Sequence, residues 1–126
     1  MILSVSSFAD TGNIEKERVV LRVDSSGDVG RYAVLLSKLT GEHPSAGNQP
    51  AYWFPDVPVN EGDLVVLYTK NGSKGKKDLR NGRQAHFLYW GMKTPIWQDD
   101  TKKLVILEIN KWISSSPSVL KQDDEL

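Results

Sequence analysis

Arg18-Val19-Val20-Leu21-Arg22-Val23-Asp24 and Asp63-Leu64-Val65-Val66-Leu67-Tyr68-Thr69 decide the fold class of this chain. In the first stretch Val19, Leu21 and Val23 fall on one side, and Arg18, Arg22 and Asp24 fall on the other with Val20. That alternation marks a strand with one face in a core and one largely in water. In the second stretch both sides are apolar: Leu64, Val66 and Tyr68 on one, Val65, Leu67 and Thr69 on the other. Such a strand belongs in the middle of a sheet, with an aromatic ring or a loop over its second face. Working outward, Ile2–Ser7, Arg31–Leu39, Ala51–Phe54, Ala85–Trp90 and Lys103–Asn110 are also rich in residues that pack well on a pleated surface. Turn chemistry separates these runs at Asp10–Asn13, Asp24–Asp28, Asn71-Gly72 and Gln98–Thr101. Asn71-Gly72 follows a strand directly, so a tight reversal with a positive φ is expected there. No segment carries the 3.6-residue apolar stripe of a helix. Short strands at turn-punctuated spacing predict an all-β domain, a sandwich or a small barrel.

Composition bounds the rest. The 126 residues fit one domain, large enough to fold without disulfides or metals. Sixteen basic residues balance sixteen acidic ones, which excludes a globally basic nucleic-acid clamp and leaves only local patches to steer a charged partner. The absence of cysteine excludes disulfide scaffolds, thiol nucleophiles and thiolate metal sites. The opening Met1–Asp10 has no basic n-region, and no apolar run approaches a membrane span of roughly 18 residues. The terminal Asp-Asp-Glu-Leu lacks the leading basic residue of an ER-retention signal and reads as an acidic tail. The expectation is a cytoplasmic protein, away from membranes, with one domain over residues 1–113 and a flexible acidic tail over 114–126.

Two segments read as loops. Thr40–Pro50, with two Pro and two Gly, is expected to lack regular structure. Lys70–Gln84 carries Lys70, Lys74, Lys76, Lys77, Arg80 and Arg83 against Asp78 alone. This local excess of positive charge can attract phosphates or an acidic protein face, or it can simply keep a hairpin loop soluble.

Catalytic and metal motifs are weak. His43 lies in the Pro/Gly loop and His86 at the head of a strand; no nucleophile elbow accompanies them. Asp99-Asp100 and Asp123-Asp124 are adjacent pairs, whereas acid–base pairs converge from separate elements. Neither Asp24–Asp28 nor Asp99–Thr101 has calcium-loop spacing, and Asn71–Gly75 lacks the helix a phosphate loop requires. No catalytic residue, metal or cofactor is expected, and the chain reads as a non-enzyme.

From residue 52 the order of motifs is more specific. Tyr52-Trp53-Phe54-Pro55 is followed by Gly62-Asp63 opening a strand, a polar loop, Leu88-Tyr89-Trp90-Gly91, Trp97 with a polar turn, and the strand Leu104–Ile109. This succession resembles the lamin-tail (lamin globular tail) domain. The resemblance covers the second half of the chain only. It implies an immunoglobulin-like β-sandwich of about seven to nine short strands with structural rather than catalytic motif residues. Pro55 would end a strand, Gly62 supply a turn, and Trp53, Phe54, Trp90 and Trp97 fill the core. The tryptophans can alternatively line a groove for sugars or unstacked bases, and Trp112, beyond the last strong strand, is the one expected outside. The reading is a non-enzymatic interaction module for another protein. The alternative is a nucleic-acid-binding domain using residues 70–83, and an enzyme with an unrecognised site is the remote third. Binding residues on these readings are Lys70, Lys74, Lys76, Lys77, Arg80, Arg83 and Trp112.

Overall fold

The computed structural model describes residues 1–44, 47, 49–119 and 122–126. In chain order its strands are β1 (Leu3–Ala9), β2 (Arg18–Val23), β3 (Gly27–Asp28), β4 (Tyr32–Thr40), β5 (His43–Pro44) and β6 (Ala51–Trp53), then β7 (Pro58–Val59), β8 (Leu64–Tyr68), β9 (Gly75–Asp78), β10 (Gln84–Tyr89) and β11 (Lys102–Glu108). A five-stranded sheet runs β1-β2-β8-β10-β9, a second sheet is built on β4 with β11, β5 and β6, and β3 pairs with β7. The architecture is all-β with open sheets, as a sandwich requires, and no sheet closes into a barrel. No helix among the described residues is long and apolar enough to cross a membrane.

The alternation in β2 and β8 sets the layers. Val19, Leu21, Val23, Val65 and Leu67 point inward with Leu88, and they meet Tyr32 and Val34 of β4, backed by Phe54 and Val59. β8 is central, hydrogen-bonded to β2 on one side and β10 on the other. Its second face is covered by aromatics: the Tyr68 ring stacks on Tyr89 at 5.2 Å and lies 6.4 Å from Phe87.

Two expected loops contain strands. Within Thr40–Pro50, His43 and Pro44 pair with Thr40 and Leu39, because a two-residue ladder needs few donors and tolerates proline. Ser45, Ala46 and Asn48 of that segment lie outside the described residues. So do Leu120 and Lys121 of the expected tail, in which Pro117–Val119 form one 3-10 turn. Within Lys70–Gln84, Gly75–Asp78 form β9, the edge of the large sheet, antiparallel to β10. β10 runs parallel to β8, so Asn71-Gly72 does not make a tight hairpin. The chain crosses the end of β10 instead, where the N–H groups of Trp90, Gly91 and Met92 donate to the carbonyls of Tyr68, Lys70 and Thr69. Gly72 is not in the positive-φ region. It serves by close approach, since a Cβ there would come within 2.5 Å of the Tyr89 ring.

Two buried carboxylates tie these elements together. Glu17, fully buried, accepts from the N–H groups of Gly12, Ile96 and Trp97 and from the Thr69 hydroxyl. Asp63 accepts from the N–H groups of Asn60 and Gln84 and pairs with His86. Burial pushes both carboxyls up, but these hydrogen bonds outweigh it and hold both below the ordinary carboxylate range. A depressed folded-state value means stability that is complete above the unfolded value, about 4, and is lost as pH falls through the folded value. Thermal unfolding followed from neutral pH to pH 2 should therefore show a falling Tm only on the acid side. Asp63→Asn should flatten that fall; an unchanged acid limb would show that Asp63 carries none of it.

Candidate functional site

The six cations of the 70–83 segment do not form one patch. Strand β9 divides them by the alternation of its side chains. The register pairs Lys76 with His86 and Lys77 with Ala85, so Lys76 shares the inward side of the sheet and Lys77 the outward side. Lys70 lies 3.6 Å from Glu15 and 5.6 Å from the Tyr68 ring centroid, also on the outward side. Arg83 turns back to the Arg80 and Gly62 carbonyls, at 3.3 and 3.5 Å. Gly62, with φ of 89°, makes the turn that Arg83 covers.

Lys74 and Lys76 line a cleft of about 490 Å³, where the β9–β10 edge parts from the segment carrying Val57, Pro58 and Asn60. Gln84, His86 and Leu88 of β10 form its floor. His86 is 6% exposed, and its Nε2 lies 2.9 Å from Asp63 Oδ2. The Gln84 side-chain amide donates to Asp78 at 3.0 Å, fixing the rim.

The outward face of the large sheet is aromatic and cationic. Its β2, β8, β9 and β10 positions hold Arg18, Val20, Arg22, Leu64, Val66, Tyr68, Phe87, Tyr89 and Lys77, and no acidic residue. The Arg18 guanidinium sits 6.0 Å from the Tyr68 centroid. Among the described residues, acids reach this face from turns, where Asp10 pairs with Arg18, Asp24 with Arg22 and Glu15 with Lys70. Such exposed pairs are worth about 0–1 kcal/mol each and exchange readily for other anions.

The tryptophans separate as well. Phe54 and Trp97 are buried, and Trp90 is partly buried against the core. Trp53 is not a core residue: it is 49% exposed. Tyr52 packs against the core and contacts Phe54 edge-on, so the alternation turns Trp53 to the opposite side. There its indole N–H donates to the Gly30 carbonyl at 2.9 Å, and its ring meets Trp112 edge-to-face at 5.2 Å. Leu107 shares this side of the sheet, since Ala33 pairs with both Trp53 and Leu107. Trp112 is 63% and Leu107 41% exposed.

Asp99 is occupied in its own turn, accepting from the Thr101 N–H and hydroxyl. Sequence reasoning passed over Glu17, Asp63 and His86 as site or framework residues. The signal available for His86 was its two-residue offset from Leu88, which puts both on the inward face. No family model and no curated protein matches the chain.

Proposed function

We propose that the protein is a non-enzymatic interaction module of lamin-tail-like type that docks another protein on the outer face of its smaller sheet. The observation that supports this reading is the exposed Trp53–Trp112 pair, with exposed Leu107 on the same face across Ala33. Apolar surface of this kind marks contact sites, and tryptophan is the residue most enriched among those that carry interface energy. Changing Trp53 and Trp112 together to Ser should leave the fold intact, because neither ring fills the core. It should weaken partner binding by at least about 2 kcal/mol, as expected for interface tryptophans. Affinity capture from the native host with wild type and variant in parallel, followed by titration of the captured partner, checks this. A partner held equally by both proteins would defeat the reading.

The Tyr68–Tyr89 stack supports a second reading: single-stranded nucleic acid laid across the outward face of the large sheet. Bases stack on such rings for about 1–3 kcal/mol each, and Arg18, Arg22, Lys70 and Lys77 would meet the phosphates. A mobility shift with mixed-sequence DNA and RNA should then be steeply salt-dependent, and Lys70→Ser with Lys77→Ser should flatten that dependence. Absence of binding at low salt would remove this reading.

A further inference from the structure

The cleft between the β9–β10 edge and the Val57–Asn60 segment lies apart from both faces discussed above, and its lining is unusual for a neutral protein. Two lysines and a histidine converge on it, and no carboxylate lines it. Neither Lys74 nor Lys76 has an ion-pair partner among the described residues, although five other pairs form on the protein. Asp78, the acid closest in sequence to these lysines, is engaged by the Gln84 amide.

His86 is the fixed member of this set. Asp63 takes three donors, from the Asn60 and Gln84 N–H groups and from His86, and so remains an acceptor toward the imidazole. That assigns the Nε2 proton to the Asp63 bond and leaves Nδ1 as the nitrogen available to the cleft. Nδ1 has no hydrogen-bond partner among the described residues, and it is not sealed from solvent.

The remaining wall is apolar, formed by Val57, Pro58 and Leu88. A volume of about 490 Å³ falls within the range of small-molecule sites and exceeds what an inorganic anion fills. Two convergent cations, Lys74 and Lys76, match the nearly two negative charges of a phosphomonoester at neutral pH better than the single charge of a carboxylate. We propose that this cleft binds a small organic phosphomonoester, its phosphoryl group held by Lys74 and Lys76 and its organic part against Val57, Pro58 and Leu88.

The test is an NMR titration of the full chain with four probes: phenyl phosphate, adenosine monophosphate, benzoate and inorganic phosphate. Phenyl phosphate should shift the resonances of Gly75, Lys76, Gln84 and His86, with inorganic phosphate and benzoate each weaker by roughly tenfold or more. Adenosine monophosphate binding as tightly as phenyl phosphate, or more tightly, would identify the source as a nucleotide; weaker binding would favour a smaller phosphate ester. Lys74→Ser with Lys76→Ser changes only exposed side chains, so the fold survives, and it should reduce phenyl phosphate affinity by roughly tenfold or more. Equal binding of benzoate, equal binding of inorganic phosphate, or shifts confined to other faces would each overturn the proposal. Because the Trp53–Trp112 face is untouched by these variants, failure here leaves the protein-docking reading standing, and the reverse holds.

Discussion

Glu17→Ala should destabilise the protein by about 3–5 kcal/mol, because four neutral donors lose the one buried carboxylate they share. The carboxylate has four donors: Gly12 N–H at 3.0 Å, Ile96 N–H at 2.9 Å, Trp97 N–H at 3.1 Å and the Thr69 hydroxyl at 2.5 Å. These come from the turn before β2, the end of β8 and the loop between β10 and β11, so a single side chain joins three separate stretches of chain. Alanine leaves all four donors without their acceptor, and each orphaned buried group, the Trp97 N–H and the Thr69 hydroxyl among them, costs about 1–3 kcal/mol before relaxation. Glu17→Gln keeps the shape and one acceptor oxygen but points an NH₂ at donors. It should fall between wild type and alanine. Urea unfolding of the three proteins checks the order, and a Glu17→Ala midpoint within 1 kcal/mol of wild type, an allowance typical of surface changes, would refute the role.

Glu17 also shows where the sequence stops being legible. Its acidic identity reads as surface, and only the three-dimensional convergence of backbone N–H groups makes burial affordable. Asp63 is the same case, visible in the sequence only as the residue after a turn glycine. Strands β2 and β8 were legible because their alternation reports burial directly. Strand β9 was not, because Gly75-Lys-Lys-Asp78 has no apolar residue, and its pairing is imposed by the open edge of β10. That one strand turns Lys76 and Lys77 to opposite sides of the sheet, so the cations written in sequence as a single patch do not share one face. Trp53 is a different failure. Tyr52 and Phe54 already share a face by period two, so the residue between them belongs on the other side, and aromatic content alone pointed the wrong way.

Trp97→Ala should cost about 3–5 kcal/mol, comparable to the Glu17 variant but through a different mechanism. The indole is 7% exposed, packed at 5.3 Å from the Phe8 ring and 6.4 Å from Trp90. Truncation leaves the Trp97 N–H bond to Glu17 in place, so the loss measures side-chain packing and the cavity left behind, not the polar network. Trp90 is only partly buried, shared between Trp97 and Tyr52, and Trp90→Ala should therefore cost less than Trp97→Ala. Trp97→Phe, which keeps an aromatic ring against Phe8, should recover a large part of the difference. Because Glu17 holds the backbone that positions this ring, the Glu17→Gln and Trp97→Ala changes should be non-additive in a double-mutant cycle by more than the roughly 0.5 kcal/mol typical of independent sites. Strict additivity would mean that the indole finds its place by contact with Phe8 and Trp90 alone, and that the carboxylate beneath it governs only the loop.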